Sequence, residues 1–357
     1  MRAVVLDSEL QYISNYPKPV IEQGWAIIKV IKAGICNTDL ELIKGYMGFK
    51  GVLGHEFVGI VKECEDKTWI DKIVTGEINF GCNTCDSCLK GLQRHCPNRS
   101  TLGIVNADGC MSDYCKIPID CLVEIPQDIT INKAIFIEPL SAACEILEQL
   151  NILQPIHFSK CDLPTQPQNG HIKFRKQKYL RNNYTGTEQV TVLGDGKLGI
   201  LCAWVLSTVF ENVTLVGHHK EKLLIASWNE VKTIENSDNL PKADIVVEAT
   251  GSVNGLNSAV ELCIPRGTII LKSTIAEQTP VNFTQIVVDE ITVIGSRCGQ
   301  FKDGLNILQN YPDLPLERLI SSEFPAEKSI EAFSESSKKG ILKVLINFGD
   351  WRLEAGD

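Results

Sequence analysis

Along the 357 residues, apolar positions gather into many short runs set off by glycine, proline and polar residues. The opening MRAVVLDSELQYI is already strand-like, and the runs stay short up to about residue 150. That pattern predicts a domain made mostly of short strands. TDLELIK from Thr38 and IEPLSAACEIL from Ile137 instead have the look of helix starts. After residue 187 the pattern changes. EQVTVLGDGKLGILCAWVL reads as a buried strand, a tight glycine turn and a helix, and NVTLVG, DIVVEATG and GTIILKST come after it as further strand-like runs. Strands alternating with helices in this way predict an α/β doubly wound sheet. No apolar run approaches the roughly 18 residues of a membrane span, so no membrane partner is expected.

The predicted organisation is therefore two domains: residues 1–150 together with 297–357, and residues 151–296 as the doubly wound unit. Between them lies LQPIHFSKCDLPTQPQNGHIKFRKQKYLRNNYTG, 153–186, rich in proline and asparagine and without amphipathic period. It reads as an inserted surface loop. Composition narrows the partner more than the fold. A net charge of −9 argues against nucleic acid and leaves a small-molecule ligand as the expectation. With no basic-then-apolar leader in view, a cytoplasmic location is expected, and the 14 cysteines should be reduced thiols or metal ligands.

Four of those cysteines stand close together in GCNTCDSCLKGLQRHCPN, 81–98. Cys82, Cys85, Cys88 and Cys96 have the spacing of a closed tetrahedral zinc site, which is favoured over a disulfide pair or an iron–sulfur cluster. Four sulfurs leave no position for substrate, so such a zinc is structural. A catalytic zinc needs three protein ligands and an open position. Cys36, His55 and Glu138 are the candidates, each set among glycines or apolar residues. Taken singly, they could equally be core filler, a hydrogen-bonded core histidine and a helix N-terminal acid.

Gly194, Gly196 and Gly199 stand in the G-x-G-x-x-G order that lets a backbone approach a pyrophosphate. Lys197 and Leu198 within that turn, and Thr250 after DIVVEA, are the further expected cofactor contacts. NAD sites usually carry an acid at the end of the second strand. Here that strand ends VGHHKEK. Gly217 followed by His218, His219 and Lys220 suits a 2′-phosphate, so NADP is expected over NAD.

Taken together, GICNTDLE at 34–41, GHEFVG at 54–59, the cysteine lobe, IEPLSAA, VLGDGKLG, VVEATGS and GILKVLINF resemble the zinc-dependent medium-chain dehydrogenase/reductase superfamily. The nearest branch is that of sorbitol, glucose and threonine dehydrogenases. The resemblance implies a GroES-like catalytic domain joined to a Rossmann cofactor domain, two zincs per subunit, and a homodimer or homotetramer. It implies that Cys36 and His55 bind the catalytic zinc, while Glu56 and Glu138 complete its sphere or hold its water. Glu138 stands where the alcohol dehydrogenase branch has a second cysteine, which points to polyols or sugars. Thr38 matches the hydroxyl that touches the substrate oxygen and begins proton relay, whereas a later histidine carrier is replaced by Glu41. Tyr46, Met47 and Phe49 would line part of the substrate pocket. The implied activity is hydride transfer between an alcohol and a nicotinamide; the alternatives are a sugar 1-dehydrogenase or a non-catalytic or impaired member. Relatives cross the 153–186 gap with a shorter link.

Overall fold

The structure, a computed structural model, describes residues 1–152, 184–235, 240–274 and 280–349. The expected insertion therefore lies outside the described residues apart from Tyr184–Gly186. Two compact units emerge, one from Met1–Glu138 with Leu316–Asp357, the other from Pro139–Pro315. The second unit is larger than the 151–296 expected from sequence, because helices at both its ends go with its sheet. The Lys272 ammonium shows why at the N-terminal end: it donates to the carbonyl of Ala142, in the helix Ile137–Gln149, at 2.6 Å.

The first unit is built on a seven-stranded sheet. Its spine is the antiparallel pair Trp25–Gly34 and Glu56–Cys64, with Lys343–Asn347 on the other side of Trp25–Gly34. Register decides which side chains meet. Gly34 stands opposite Glu56 on one side and opposite Leu345 on the other. One end of the sheet thus gathers residues from three distant parts of the chain. Gly34 is glycine for a physical reason: a Cβ there would lie 2.4 Å from the Glu56 carboxylate. Alternation in Trp25–Gly34 is weak, since nearly every residue is buried or half-buried, as expected of a strand with neighbours on both sides.

The second unit is a six-stranded sheet, and every pairing in it is parallel. Its order across the sheet is Lys232–Glu235, Asn212–Gly217, Gln189–Leu193, Ala243–Glu248, Cys263–Leu271, Thr292–Gly295. In chain order within the unit that is 3-2-1-4-5-6, the doubly wound arrangement predicted from the alternating pattern. The order reverses beside Gln189–Leu193, whose C-terminal end carries the glycine turn. The next helix, Lys197–Ser207, is apolar almost all round and buried from Gly199 to Leu206. Its Trp204 is fully buried, and the indole N–H donates to the Ala226 carbonyl at 2.8 Å. That bond removes the cost of burying a polar group in the layer over the sheet.

Candidate functional site

Three features of the chain put Cys36, His55 and Glu56 together. Cys36 lies just after the strand Trp25–Gly34 and precedes the helix Asn37–Ile43, while Glu56 opens the partner strand and His55 stands just before it. Because Gly34 pairs with Glu56, the thiol, the imidazole and the carboxylate converge, and one ligand atom from each lies within 4.8 Å of the others. Asp39 organises this group. Its Oδ2 accepts from the Cys36 main-chain N–H at 2.8 Å, and its Oδ1 lies 3.4 Å from His55 Nδ1. A buried carboxylate on one ring nitrogen sets which nitrogen is left for a metal. Burial pushes the His55 imidazole down, but Asp39 and Cys36 outweigh burial and hold it well above the ordinary histidine value.

Lys343 completes the cluster from the far end of the chain. Its ammonium is fully buried and paired with the equally buried Glu56 carboxylate, 287 residues away. Burial works against the charged amine, while Glu56 and then Cys36 raise its pKa above the ordinary lysine value. Thr38 Oγ1 lies 3.8 Å from Cys36 Sγ. Glu138 is not part of the three-residue cluster, though its charge reaches Lys343. Tyr46 and Met47 are exposed, at 46% and 57%.

The cysteine lobe forms a second cluster: ligand atoms of Cys82, Cys85, Cys88 and Cys96 all lie within 4.8 Å of one another. Cys96 Sγ stands 3.6 Å from Cys82 Sγ and 3.7 Å from Cys85 Sγ. Those separations are far beyond the roughly 2.05 Å of a disulfide, and all four are free thiols. The Cys82 amide points at Cys96 Sγ, 3.4 Å away. Donors from Thr84 and the Cys85 amide bring the Cys82 thiol down to about 5. Burial and the neighbouring sulfurs push Cys88 up to about 12. Crowded sulfurs that cannot all ionise alone suit a divalent cation that needs thiolates. The donor sets of both clusters fit zinc, sulfur-only in one and mixed S/N/O in the other.

The glycine turn also fits its expected ligand. Gly194 has φ 111°, and a Cβ there would meet the Ala249 carbonyl oxygen at 2.5 Å. A Cβ on Gly199 would strike the Gly194 carbonyl oxygen at 1.9 Å, so helix and turn pack as closely as glycine allows. A Cβ on Gly196 would meet nothing within 4 Å. Open space at the middle glycine is what a cradle for a pyrophosphate requires. Lys197 and Leu198 start the helix there. Thr250 sits on the loop after Ala243–Glu248, where Glu248 Oε1 accepts from its main-chain N–H at 2.8 Å and its hydroxyl at 2.6 Å.

At the end of Asn212–Gly217 the structure adds a residue without a counterpart in the sequence pattern. Asp195, the middle residue of Gly-Asp-Gly, reaches across to the loop of His218 and His219. Burial opposes its charge, but the His219 amide and imidazole and the His218 amide outweigh it and hold its pKa below the usual carboxylate value. His218 and Lys220 are exposed.

Comparison with known proteins agrees with this architecture. Residues 22–127 match the alcohol dehydrogenase GroES-like domain, and residues 180–348 match the glucose dehydrogenase C-terminus. The chain belongs to the zinc-type medium-chain dehydrogenase/reductase superfamily. Among its relatives, the starvation-sensing protein RspB of Escherichia coli is 25% identical over 98% of this chain and 100% of its own length. Glucose 1-dehydrogenase of Metallosphaera sedula is 24% identical, with 92% of each chain covered. Among solved structures, the E. coli rspB alcohol dehydrogenase complexed with NADH superposes with a TM-score of 0.81 at 23% identity, covering 98% of this chain and 99% of that one. A zinc-binding dehydrogenase from Sinorhizobium meliloti bound to NADP gives 0.76 at 22% identity, covering 97% and 99%.

Two residues of the cluster carry a sequence signal that the motifs alone do not bring out. Asp39 is the third residue after Cys36 in CNTD, the spacing at which an acid bonds back to a helix N-cap. Lys343 is a lysine inside the apolar run ILKVLINF, where a charge needs a buried partner.

Proposed function

We propose that the protein is a zinc-dependent NAD(P) oxidoreductase that moves hydride between the carbinol carbon of a small alcohol or polyol and a nicotinamide. The convergence of Cys36, His55 and Glu56 donors within 4.8 Å, at one end of the sheet, carries this reading. Cys36 and His55 would hold the catalytic zinc, with Glu56 and Glu138 as carboxylate partners, and the cysteine lobe a second, structural zinc. Bound there, zinc supplies a Lewis acid for the alcohol oxygen, and the nicotinamide supplies the hydride acceptor. The chain's own residues do the rest. Asp39 holds the His55 ring in place, Lys343 fixes the Glu56 carboxylate, and the Thr38 hydroxyl relays the proton, accepting it from the substrate hydroxyl while it passes its own on toward solvent. Gly194, Gly196 and Gly199 seat the pyrophosphate; Lys197, Leu198 and Thr250 border it.

NADP is the preferred cofactor in this reading, supported by the absence of an acid at position 217 and by the exposed His218 and Lys220 beyond it. Among the described residues no helix is long and apolar enough to cross a membrane, and the proposed location is the cytoplasm. A sugar 1-dehydrogenase is a second reading, favoured by the match of residues 180–348 to the glucose dehydrogenase C-terminus. The test of both is zinc per subunit by elemental analysis, together with NADP⁺ reduction against polyols, aldoses and primary alcohols. Turnover confined to aldoses selects the second reading. Two zincs with no turnover on any panel member would overturn both.

A homo-oligomer is proposed from the outer edge of the parallel sheet. Thr292–Gly295 is the terminal strand, and beside it in sequence the helix Phe283–Val288 exposes Phe283, Val287 and Val288 at 69%, 73% and 69%. Phe283 and Val287 are one helical turn apart, and Val293 on the strand is 37% exposed. Exposed apolar side chains close in sequence to a strand that ends the sheet among the described residues are the kind of surface a second copy covers. Val287→Glu is expected to shift the mass measured by size exclusion with light scattering toward the monomer. An unchanged mass would place the interface elsewhere.

A further inference from the structure

A carboxylate stands beside the end of Asn212–Gly217 all the same, from the glycine turn that follows the neighbouring strand Gln189–Leu193. A Cβ on Gly217 would lie 2.4 Å from both Cβ and Oδ2 of Asp195, so the two positions cannot both carry a side chain. Here the acid stands in the glycine turn, and its partners are groups of the protein's own chain. Asp195 Oδ2 accepts from the main-chain N–H groups of His218 and His219, both at 2.7 Å. His219 Nδ1 lies 3.0 Å from Oδ2 and 3.1 Å from Oδ1. An ionised carboxylate only accepts, so Nδ1 carries a proton and Nε2 is the ring nitrogen left over. The amides of 218 and 219 are already used, so those two are not left to read an incoming phosphate. His219, moreover, is held in one tautomer and one orientation by a residue of the pyrophosphate turn.

We propose that Asp195 is the positioning residue that sets selectivity for the adenosine 2′-phosphate, acting through His219. The proposal rests on the reading of this protein as an NADP enzyme. When the ring carries both protons, Nδ1–H stays on Asp195 and Nε2–H can donate to a phosphate oxygen, so one imidazolium bridges two anions. A 2′-hydroxyl, carrying no charge, draws much less from the same donor.

The test compares two fragments by isothermal titration calorimetry, without turnover: adenosine 2′,5′-bisphosphate and 5′-AMP. The proteins are the parent, Asp195→Asn, His219→Ala and the double variant. The parent is expected to bind the bisphosphate more tightly, and each single variant to lower that preference about tenfold, the scale of one charge-assisted hydrogen bond. The double variant should lose no more than His219→Ala alone, since Asp195 acts through His219. Equal weakening of both fragments by Asp195→Asn would make Asp195 a loop scaffold only and overturn the proposal. So would weakening of 5′-AMP alone, which would make it the ribose-binding acid. Should Asp195→Asn fail to fold, an unchanged preference in His219→Ala overturns the proposal by itself. Failure of the NADP reading is visible separately, in a parent that shows no preference for the bisphosphate.

Discussion

Cys36→Ser is expected to hold one zinc per subunit instead of two, and to turn over at least about a thousandfold more slowly than the parent. The size reflects the several kcal/mol that a Lewis acid contributes to charge development at the reacting oxygen, at 1.36 kcal/mol per factor of ten. Serine keeps the shape but replaces a thiolate, the softest donor of the set, with a hydroxyl that is a poor zinc ligand. Folding should survive the change. The contact that shapes the start of helix Asn37–Ile43 is the Cys36 main-chain N–H on Asp39 Oδ2, and the main chain is untouched. The contrasting variant is Cys88→Ser in the cysteine lobe. It should also lose one zinc, but its main effect should be on the melting temperature, since four sulfurs offer no open position for substrate. Elemental analysis and thermal unfolding of the two variants side by side check the assignment. Two zincs retained in Cys36→Ser would remove Cys36 from the catalytic site.

The parts of the molecule legible from sequence are those whose geometry is local. Cys82, Cys85, Cys88 and Cys96 lie within 15 residues, so their spacing carries the cluster. Gly194, Gly196 and Gly199 act within one turn, and the structure gives each a distinct role that their order already suggests. The parallel sheet is readable because each strand is an apolar run between helical stretches. What escapes depends on register. Nothing local tells Lys343 that its partner is Glu56; the pairing exists because Gly34 sits opposite both Glu56 and Leu345. Asp195 escapes for a similar reason. Its role depends on the parallel pairing of Leu193 with Val216, which brings the turn beside the loop at 218–219. The absence of an acid at 217 is legible, but the carboxylate that reaches there from the glycine turn is not. The compact units divide near Glu138 and Pro315, so the second takes in a helix at each end beyond the expected 151–296, Ile137–Gln149 and Phe301–Asn310.

The buried pair of Lys343 and Glu56 carries the second large effect. Lys343→Met is expected to lower stability by about 3–5 kcal/mol, because it takes the ammonium from a carboxylate with no solvent exposure. For a unit of this size that is a fall of roughly 10 °C in the unfolding midpoint. The sign with respect to pH is fixed by the direction of the shift. A lysine whose pKa is raised in the folded protein contributes its full share below the unfolded value of 10.5 and loses it only as pH climbs through the raised one. Measurement at neutral pH therefore reads the whole contribution. The decisive variant is the double one, Lys343→Met with Glu56→Gln. If the single variant suffers because a charge is buried beside lost compensation, removing that charge should restore most of the midpoint. Activity should behave differently. Glu56 is proposed as a carboxylate partner of the catalytic zinc, so the double variant should recover stability without recovering turnover. A lysine kept only for packing would give a different pattern, in which the double variant is at least as unstable as Lys343→Met. The recovery of stability apart from turnover is thus what separates a charge held for the reaction from one held for the fold.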